Sequence, residues 1–262
     1  MTSRRSHAIV LKVTAHGESD KIVTLYSPDL GKITTIAKGA NRSKKRFVNK
    51  LEPFTFLRIL YRPPTRGSLF FLSEAELINA YLSLRTTYSR YVTAAFINEL
   101  VQRFTGEQDP DPAVFALLDW AFRSLDQGSF PAKTATLFLL RLLGLCGYQP
   151  QLSHCSSCLR PLEQSADFTL YPGNGTLLCT RCRSTRSDSS LTLSLQTLKF
   201  LHSAQQLKLQ QLDRLQLPRT TTDQALGALY NYSRYLLQQD IHSWKQLRQV
   251  TGTQVQPLTP NP

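Results

Sequence analysis

The feature that most constrains this chain is a set of four cysteines in two C-x-x-C pairs. The pairs are Cys155/Cys158 and Cys179/Cys182, with twenty residues between them. Each pair lets two sulfurs of one tight turn reach a single ion, and two such turns complete a tetrahedral all-thiolate zinc site. Four thiolates leave no open coordination position. We therefore expect one structural Zn²⁺ ion rather than a catalytic metal.

Other roles for these thiols fit the sequence less well. Disulfides are typical of secreted chains, yet residues 1–20 contain no apolar signal-peptide core. A redox C-x-x-C motif would sit in a βαβ context and need not be duplicated. His154 adjoins Cys155, but with four sulfurs available we expect it to be a neighbour of the site and not a ligand. Cys146 lies in an apolar helical run and is expected to be a buried small hydrophobe.

The positive charge is concentrated in the first third of the chain. The formal net charge is +13, and residues 1–80 hold 14 Lys and Arg against six Asp and Glu. Such an excess suggests a polyanionic partner. The centre of this positive charge is a run of small and basic residues at 38–47. The run has little to bury, so we expect a flexible loop. We expect the cations of this run to contact phosphates, although a merely solvated loop is the alternative: Lys38, Arg42, Lys44, Lys45 and Arg46.

Alternating β-branched segments predict a small barrel over residues 1–80. The segments are 8–13, 21–26, 32–38, 54–61 and 69–78, and the turn at 27–31 joins two of them in a hairpin. Five strands without a long helix favour an OB-fold β-barrel, a fold that commonly binds single strands. Four aromatic residues could stack bases, but we expect each to pack in the barrel core: Phe47, Tyr61, Phe70 and Phe71.

After about residue 81, the spacing of the apolar residues changes from the period of strands to that of helices. Apolar spacing and breakers predict helices at 88–104, 112–126, 131–146, 194–208 and 222–239. The fold class is therefore α+β, with the N-terminal OB-fold β-barrel followed by an all-α helical domain at 81–250. The zinc module is inserted into that domain at about 152–187. The polar, Pro-containing segment 251–262 is expected to be a disordered tail.

The sequence contains none of the catalytic motifs that we sought. It lacks G-x-x-x-x-G-K-[ST], G-x-G-x-x-G and G-x-S-x-G, and its five histidines are not spaced as metal pairs. Glu74 and Glu76 share a strand face, where solvated charges explain them better than a nuclease site does. No apolar run approaches the roughly 18 residues needed to cross a bilayer. We expect a binding protein without enzymatic activity and without a membrane partner.

Several ordered segments resemble the bacterial recombination mediator family RecO. In the first half they are Ala-Ile-Val-Leu-Lys at 8–12, Gly-Glu-Ser-Asp-Lys-Ile-Val-Thr-Leu-Tyr at 17–26, Gly-Lys at 31–32, Ala-Lys-Gly-Ala at 37–40 and Leu-Glu-Pro-Phe at 51–54. Leu-Leu-Gly-Leu-Cys-Gly-Tyr-Gln-Pro at 142–150 is similar to the family's lead-in to its zinc module. The resemblance covers about residues 5–185.

This resemblance implies a function in DNA repair of the RecF type. A RecO-like protein binds single- and double-stranded DNA, anneals complementary strands and helps load RecA onto single strands coated with the single-strand-binding protein SSB. The implied partners are RecR and the acidic C-terminal tail of SSB, and the implied location is the cytoplasm, at the nucleoid. No nucleotide hydrolysis or covalent chemistry is implied.

Two other classes of function stay open at this point. One is a zinc-ribbon structural or transcription-related adaptor, and the other is a nucleic-acid-processing enzyme. Two groups of arginines also have two possible roles. Arg103, Arg123 and Arg141 could meet an acidic tail or be solvated, and Arg181, Arg183 and Arg186 could extend a DNA track or be solvated.

Overall fold

Five strands close into a barrel at the start of the chain. The computed structural model describes residues 3–164, 167–183, 191–216 and 218–253. Its first strands are β1 (Arg4–His16), β2 (Asp20–Ser27), β3 (Gly31–Ala37), β4 (Phe56–Arg62) and β5 (Phe70–Asn79). They follow each other around the barrel in the order β1-β2-β3-β5-β4, and β1 closes it by pairing with β4. Only the β3–β5 pair in this barrel is parallel. The predicted OB-type barrel and the β2–β3 hairpin are confirmed.

Alternation along the strands builds the barrel core. In β3, buried residues alternate with half-buried ones along the whole strand, as expected when one face is inside. The loop between β3 and β4 adds Ala40, Phe47 and Leu51 to the same core. The run 38–47 was expected to bury little beyond Phe47, whose place in the core is confirmed, but Ala40 is buried as well.

The turn between β2 and β3 lies against the segment that contains Gln108 and Asp109. Gly31 has a φ of 67°, and a Cβ atom there would lie 2.3 Å from the Asp109 carbonyl oxygen, so only glycine fits. The Lys32 ammonium donates to the carbonyls of Gln102 and Thr105 at 2.7 and 2.8 Å. These carbonyls end a helix, where a cation is favourable.

Three helices follow the barrel and belong to the same compact unit, residues 1–127. They are α1 (Ser83–Thr86), α2 (Tyr88–Phe104) and α3 (Pro112–Asp126). The amide of Asn98 on α2 donates to the Leu11 carbonyl at 2.9 Å, beside the bulge of β1. Asp111 caps α3 by accepting from the Ala113 N–H at 2.8 Å. The predicted bounds of α2 and α3 are confirmed, whereas the short α1 was not predicted.

The second compact unit, residues 128–262, contains helices and a small sheet. Its helices are α4 (Pro131–Leu145), α5 (Leu195–Gln206), α6 (Arg219–Leu237) and α7 (Trp244–Thr251). Its strands are β6 (Asp167–Tyr171), β7 (Thr176–Cys179) and β8 (Leu191–Ser194), in the order β7-β6-β8. The sequence predicted α4, α5 and α6, but not α7 or the three strands. No helix in the described part of the chain combines the length and the apolar character that crossing a bilayer requires.

The predicted disordered tail is only partly within the described residues. Residues 254–262 lie outside them. Thr251 and Thr253 are buried, and their hydroxyls are 2.8 Å apart. The sequence alone predicted a domain boundary at residue 81, where strands give way to helices, whereas the two compact units divide after residue 127.

Candidate metal centre and nucleic-acid interface

The four predicted cysteines converge on one point. The Sγ atoms of Cys155, Cys158, Cys179 and Cys182 all lie within 4.8 Å of one another. The Sγ atoms of Cys158 and Cys179 are 3.7 Å apart. A tetrahedron with Zn–S bonds of about 2.3 Å has an S–S edge of about 3.8 Å, so this spacing suits four ligands of one ion.

Backbone N–H groups of the two turns lower the pKa of two of the four thiols. Burial opposes ionisation of Cys155, but backbone N–H groups of Cys158, Cys179 and Ser157 lower its pKa to about 6. Burial also opposes ionisation of Cys179, yet the N–H groups of Cys182 and Arg181 lower its pKa as well. N–H groups that point at sulfur stabilise a thiolate, which is the form that binds metal.

The last thiol of the cluster behaves differently. The Ser157 hydroxyl favours ionised Cys182, but hydrogen bonds with the thiols of Cys158 and Cys179 raise its pKa to about 11. Four negative sulfurs so close together repel one another unless a cation lies among them. The donor set therefore fits a divalent metal ion. His154 is not part of the cluster, and its Nδ1 atom lies 2.8 Å from the Ser153 hydroxyl.

A basic groove lies on the outer surface of the barrel. It has a volume of about 510 Å³ and is lined by parts of β1, β4, β5 and the β3–β4 loop. Its cations come from three separate stretches of the chain: Arg5, Lys45, Arg46, Lys50 and Arg58. Two carboxylates, Glu74 and Glu76, also line it, so the positive side chains outnumber the negative ones. Such a groove can hold a polyanion by its phosphates.

Two of the five cations predicted to bind DNA line this groove, namely Lys45 and Arg46. Arg46 also supports the loop, because its guanidinium donates to the Lys38 carbonyl at 3.2 Å. Lys38 and Lys44 are exposed but are not part of the groove lining. Arg42 forms an exposed ion pair with Glu18 at 3.3 Å. The structure thus brings only part of the predicted set to one place.

Arg5, Lys50 and Arg58 were missed by the sequence reasoning. The pairing of β1 with β4 places Arg5 opposite Leu60 and puts His7 opposite Arg58. Arg58 follows the alternation of its strand, since it is exposed between the buried Leu57 and Ile59. That alternation was the available signal. A search for contiguous basic runs could not find Arg58, because its neighbours in the chain are apolar.

The predicted core role of the barrel aromatics is confirmed for three of the four. Phe47, Tyr61 and Phe70 are buried, with 3 to 5% of their surface exposed. The prediction is wrong for Phe71, which is only half-buried and is not part of the barrel core. The strand alternation explains this, because Phe70 points inward and its neighbour must point outward.

The arginines considered for an acidic tail are engaged within the chain. Arg103 pairs with Glu99 at 2.8 Å, and Arg123 pairs with Asp119. Arg141 donates to carbonyls at the end of α5, including that of Gln205 at 2.8 Å. Arg181 and Arg183 are exposed beside the second C-x-x-C turn, so their proposed contact with DNA stays a prediction. Arg186 lies outside the described residues.

Comparison with known proteins covers nearly all of the chain. Residues 1–81 match the family described as recombination protein O N terminal, and residues 85–245 match recombination protein O C terminal. A DNA repair protein RecO of Syntrophobacter fumaroxidans is 34% identical over 253 residues, which cover 97% of this chain and 100% of the relative. The RecO of Syntrophus aciditrophicus is 30% identical over 254 residues, which cover 95% and 98% of the two chains. That of Geobacter metallireducens is 36% identical over 182 residues, or 70% and 73% of the two chains.

Proposed function

Because the chain belongs to the RecO family of DNA repair proteins, we propose that it binds single- and double-stranded DNA in the basic groove and anneals complementary strands. We further propose that it helps RecA replace SSB on single strands. The observation that carries this proposal is the groove, in which five cations face two carboxylates on an OB-fold surface. OB folds hold single strands through such basic surfaces.

Annealing in this proposal needs no covalent chemistry. Cations of the groove neutralise phosphates and release counterions, which supplies most of the binding free energy. Two strands held near the same positive surface repel each other less and can pair. The protein then acts as a mediator and not as an enzyme, and its place of action is the cytoplasm, at the nucleoid.

We propose that the four cysteines are the ligands of one zinc ion. It would be held by Cys155, Cys158, Cys179 and Cys182, and would join the turn before β6 to the turn after β7. Four thiolates fill a tetrahedral shell, so the ion has a structural role. RecR and the acidic C-terminal tail of SSB are the proposed protein partners, on the strength of the family alone.

Replacing three groove cations tests the DNA-binding surface. Arg5, Lys45 and Arg58 are chosen because Arg46 and Lys50 also donate to carbonyls that shape the loop. With about five phosphate contacts, log Kd against log salt should have a slope of magnitude about 3.5 on single strands. The triple alanine variant should bind more weakly and lose about 2 from that slope. The measurement is fluorescence anisotropy of a labelled oligonucleotide over a range of salt concentrations.

The matched control removes the same charge elsewhere. Lys12, Lys199 and Lys245 are exposed and lie outside the groove lining. Their triple alanine variant should keep nearly all of the slope. Equal losses in both variants would show that net charge matters and the groove does not, and the assignment of the site would then be wrong.

An annealing assay tests the activity itself. The protein should accelerate pairing of two complementary oligonucleotides without ATP and without added divalent metal. Acceleration that depends on added nucleotide or metal, or any covalent change in the strands, would instead favour a nucleic-acid-processing enzyme.

A further inference from the structure

Phe71 is an aromatic side chain on the outside of the barrel. It is half-buried, whereas the adjacent Phe70 is 5% exposed and packs inside the barrel with its ring tilted against that of Tyr61. The guanidinium of Arg62 lies 4.2 Å from the centre of the Phe71 ring. Leu69, two residues earlier in the chain, is 41% exposed. Strand pairing does not require an apolar ring at this outward position.

The register connects this ring to the basic groove. Arg62 is paired with Phe71 across β4 and β5, and Arg58 is paired with Glu76 farther along the same two strands. Alternate residues of a strand share a face, so Arg58, Leu60 and Arg62 point to one side. Four residues of strand cover about 13 Å, which places the Arg62–Phe71 pair close beyond the groove along β4.

We propose that Phe71 and Arg62 together form a stacking platform for an unpaired base of a DNA strand whose phosphates lie in the groove. This proposal rests on the proposed function and adds a base contact to it. A phenyl ring and a guanidinium plane both stack on nucleobases, and every base offers a face to them. The platform therefore carries no preference for sequence.

The platform gives the surface a preference for single strands. In a duplex the faces of the bases are covered by their neighbours, so only a single strand can present one to Phe71. The phosphate contacts of the groove do not distinguish the two forms in this way, because they involve only the backbone. The contact would thus retain unpaired strands and release the paired product after annealing.

The test separates base stacking from phosphate contact. Two labelled oligomers of equal length and charge are compared, one of thymidine and one abasic along its whole length. The wild-type protein should bind the thymidine oligomer at least about fivefold more tightly than the abasic one. Phe71→Leu keeps an apolar side chain without the ring, and Arg62→Lys keeps the charge without the plane. Both variants should lose most of this ratio, while Phe71→Leu keeps its affinity for the abasic oligomer and its salt slope.

A control variant and the unfolding temperatures guard against indirect effects. Tyr88 is 64% exposed and lies outside the groove lining, so Tyr88→Leu should keep the wild-type ratio. A wild-type protein that binds both oligomers equally, or a folded Phe71→Leu variant with an unchanged ratio, overturns the platform and leaves DNA binding intact. Failure of the wild-type protein to bind either oligomer overturns the proposed function, and the platform with it.

Discussion

At the scale of single residues, the groove places carboxylates beside the cations that we assign to phosphates. The guanidinium of Arg58 is 2.9 Å from the carboxylate of Glu76, and both side chains are well exposed. A phosphate that approaches Arg58 must therefore compete with a charge that is already in place. Exposed ion pairs of this kind contribute about 1 kcal/mol or less, so the competition weakens DNA binding without preventing it.

Glu76→Gln should therefore bind single-stranded DNA about two- to fivefold more tightly than the wild-type protein. The salt slope should change little, since Arg58 is already one of the five phosphate contacts. Anisotropy titrations measure both quantities. The control is Asp240→Asn, which removes a carboxylate paired with Arg234 at 2.7 Å, outside the groove. Tighter binding by both variants would trace the effect to net charge alone.

Asp20 gives a prediction for pH. The Gly39 N–H donates to its carboxylate at 2.8 Å, and this bond and that of the Ser19 hydroxyl hold the pKa of Asp20 below its ordinary value of 3.8. A lowered pKa in the folded state contributes stability that is present above the unfolded pKa and is lost as the pH falls through the folded one. Asp20→Asn should thus melt at a lower temperature than the wild type at neutral pH, and the difference should shrink as the pH falls below 3.8 and vanish below the lower pKa of the folded state. A constant difference across the whole range contradicts this role.

At the scale of elements, the turn between β6 and β7 packs closely on α6. Gly175 has a φ of 63°, and a Cβ atom there would lie 2.6 Å from the Tyr232 hydroxyl. Its carbonyl also accepts from the Gln151 N–H at 2.8 Å. This turn, which lies within the metal module, is therefore fitted to the helix by a residue that has no side chain.

Gly175→Ala should destabilise the protein by about 2 kcal/mol, because it adds both backbone strain and an overlap with Tyr232. Gly173 is the matched control in the same turn. A Cβ atom at Gly173 would meet the Tyr235 hydroxyl at 3.4 Å, and its φ is not in the left-handed region. Gly173→Ala should therefore cost much less in a urea unfolding experiment. Equal losses would show that the close approach at Gly175 is not the cause.

The metal module has its own prediction. Cys158→Ser should reduce the zinc content and the melting temperature, since structural zinc contributes directly to folding. The DNA salt slope should persist, because the groove lies on the barrel. Cys146→Ser is the control, as Cys146 is not one of the four clustered thiols. A well-folded Cys158→Ser variant that contains no metal and melts like the wild type would contradict a structural ion.

At the scale of the whole molecule, the sequence predicted what depends on local period or fixed spacing. Strand alternation located the barrel, helical period located α2 with its observed bounds, and the spacing of the cysteines placed four sulfurs together. The groove, in contrast, could not be predicted from the sequence. Arg5 and Arg58 are far apart in the chain and become neighbours only through the β1–β4 pairing that closes the barrel.

Other features that the sequence did not predict have local causes. The strands β6, β7 and β8 have five, four and four residues, too few for their alternation to stand out. Burial of Ala40 and Leu51 in the basic loop was not predicted, because each is an isolated apolar residue among polar and charged ones. Phe71 follows another phenylalanine, and the composition of such a pair does not show which ring points inward.

Closure of the barrel has a further consequence. Every strand of the barrel has a neighbouring strand on both of its hydrogen-bonding sides, because β1 joins β4 as well as β2. An open sheet would present an unpaired edge that can recruit an identical edge from another copy, which is a common route to aggregation. Under the proposed function, copies of this domain crowded along one DNA strand would offer each other no strand that is unpaired along its whole edge, although β3 and β5 pair over two residues only. Their assembly can then be ordered by the strand that they share and not by their own backbones.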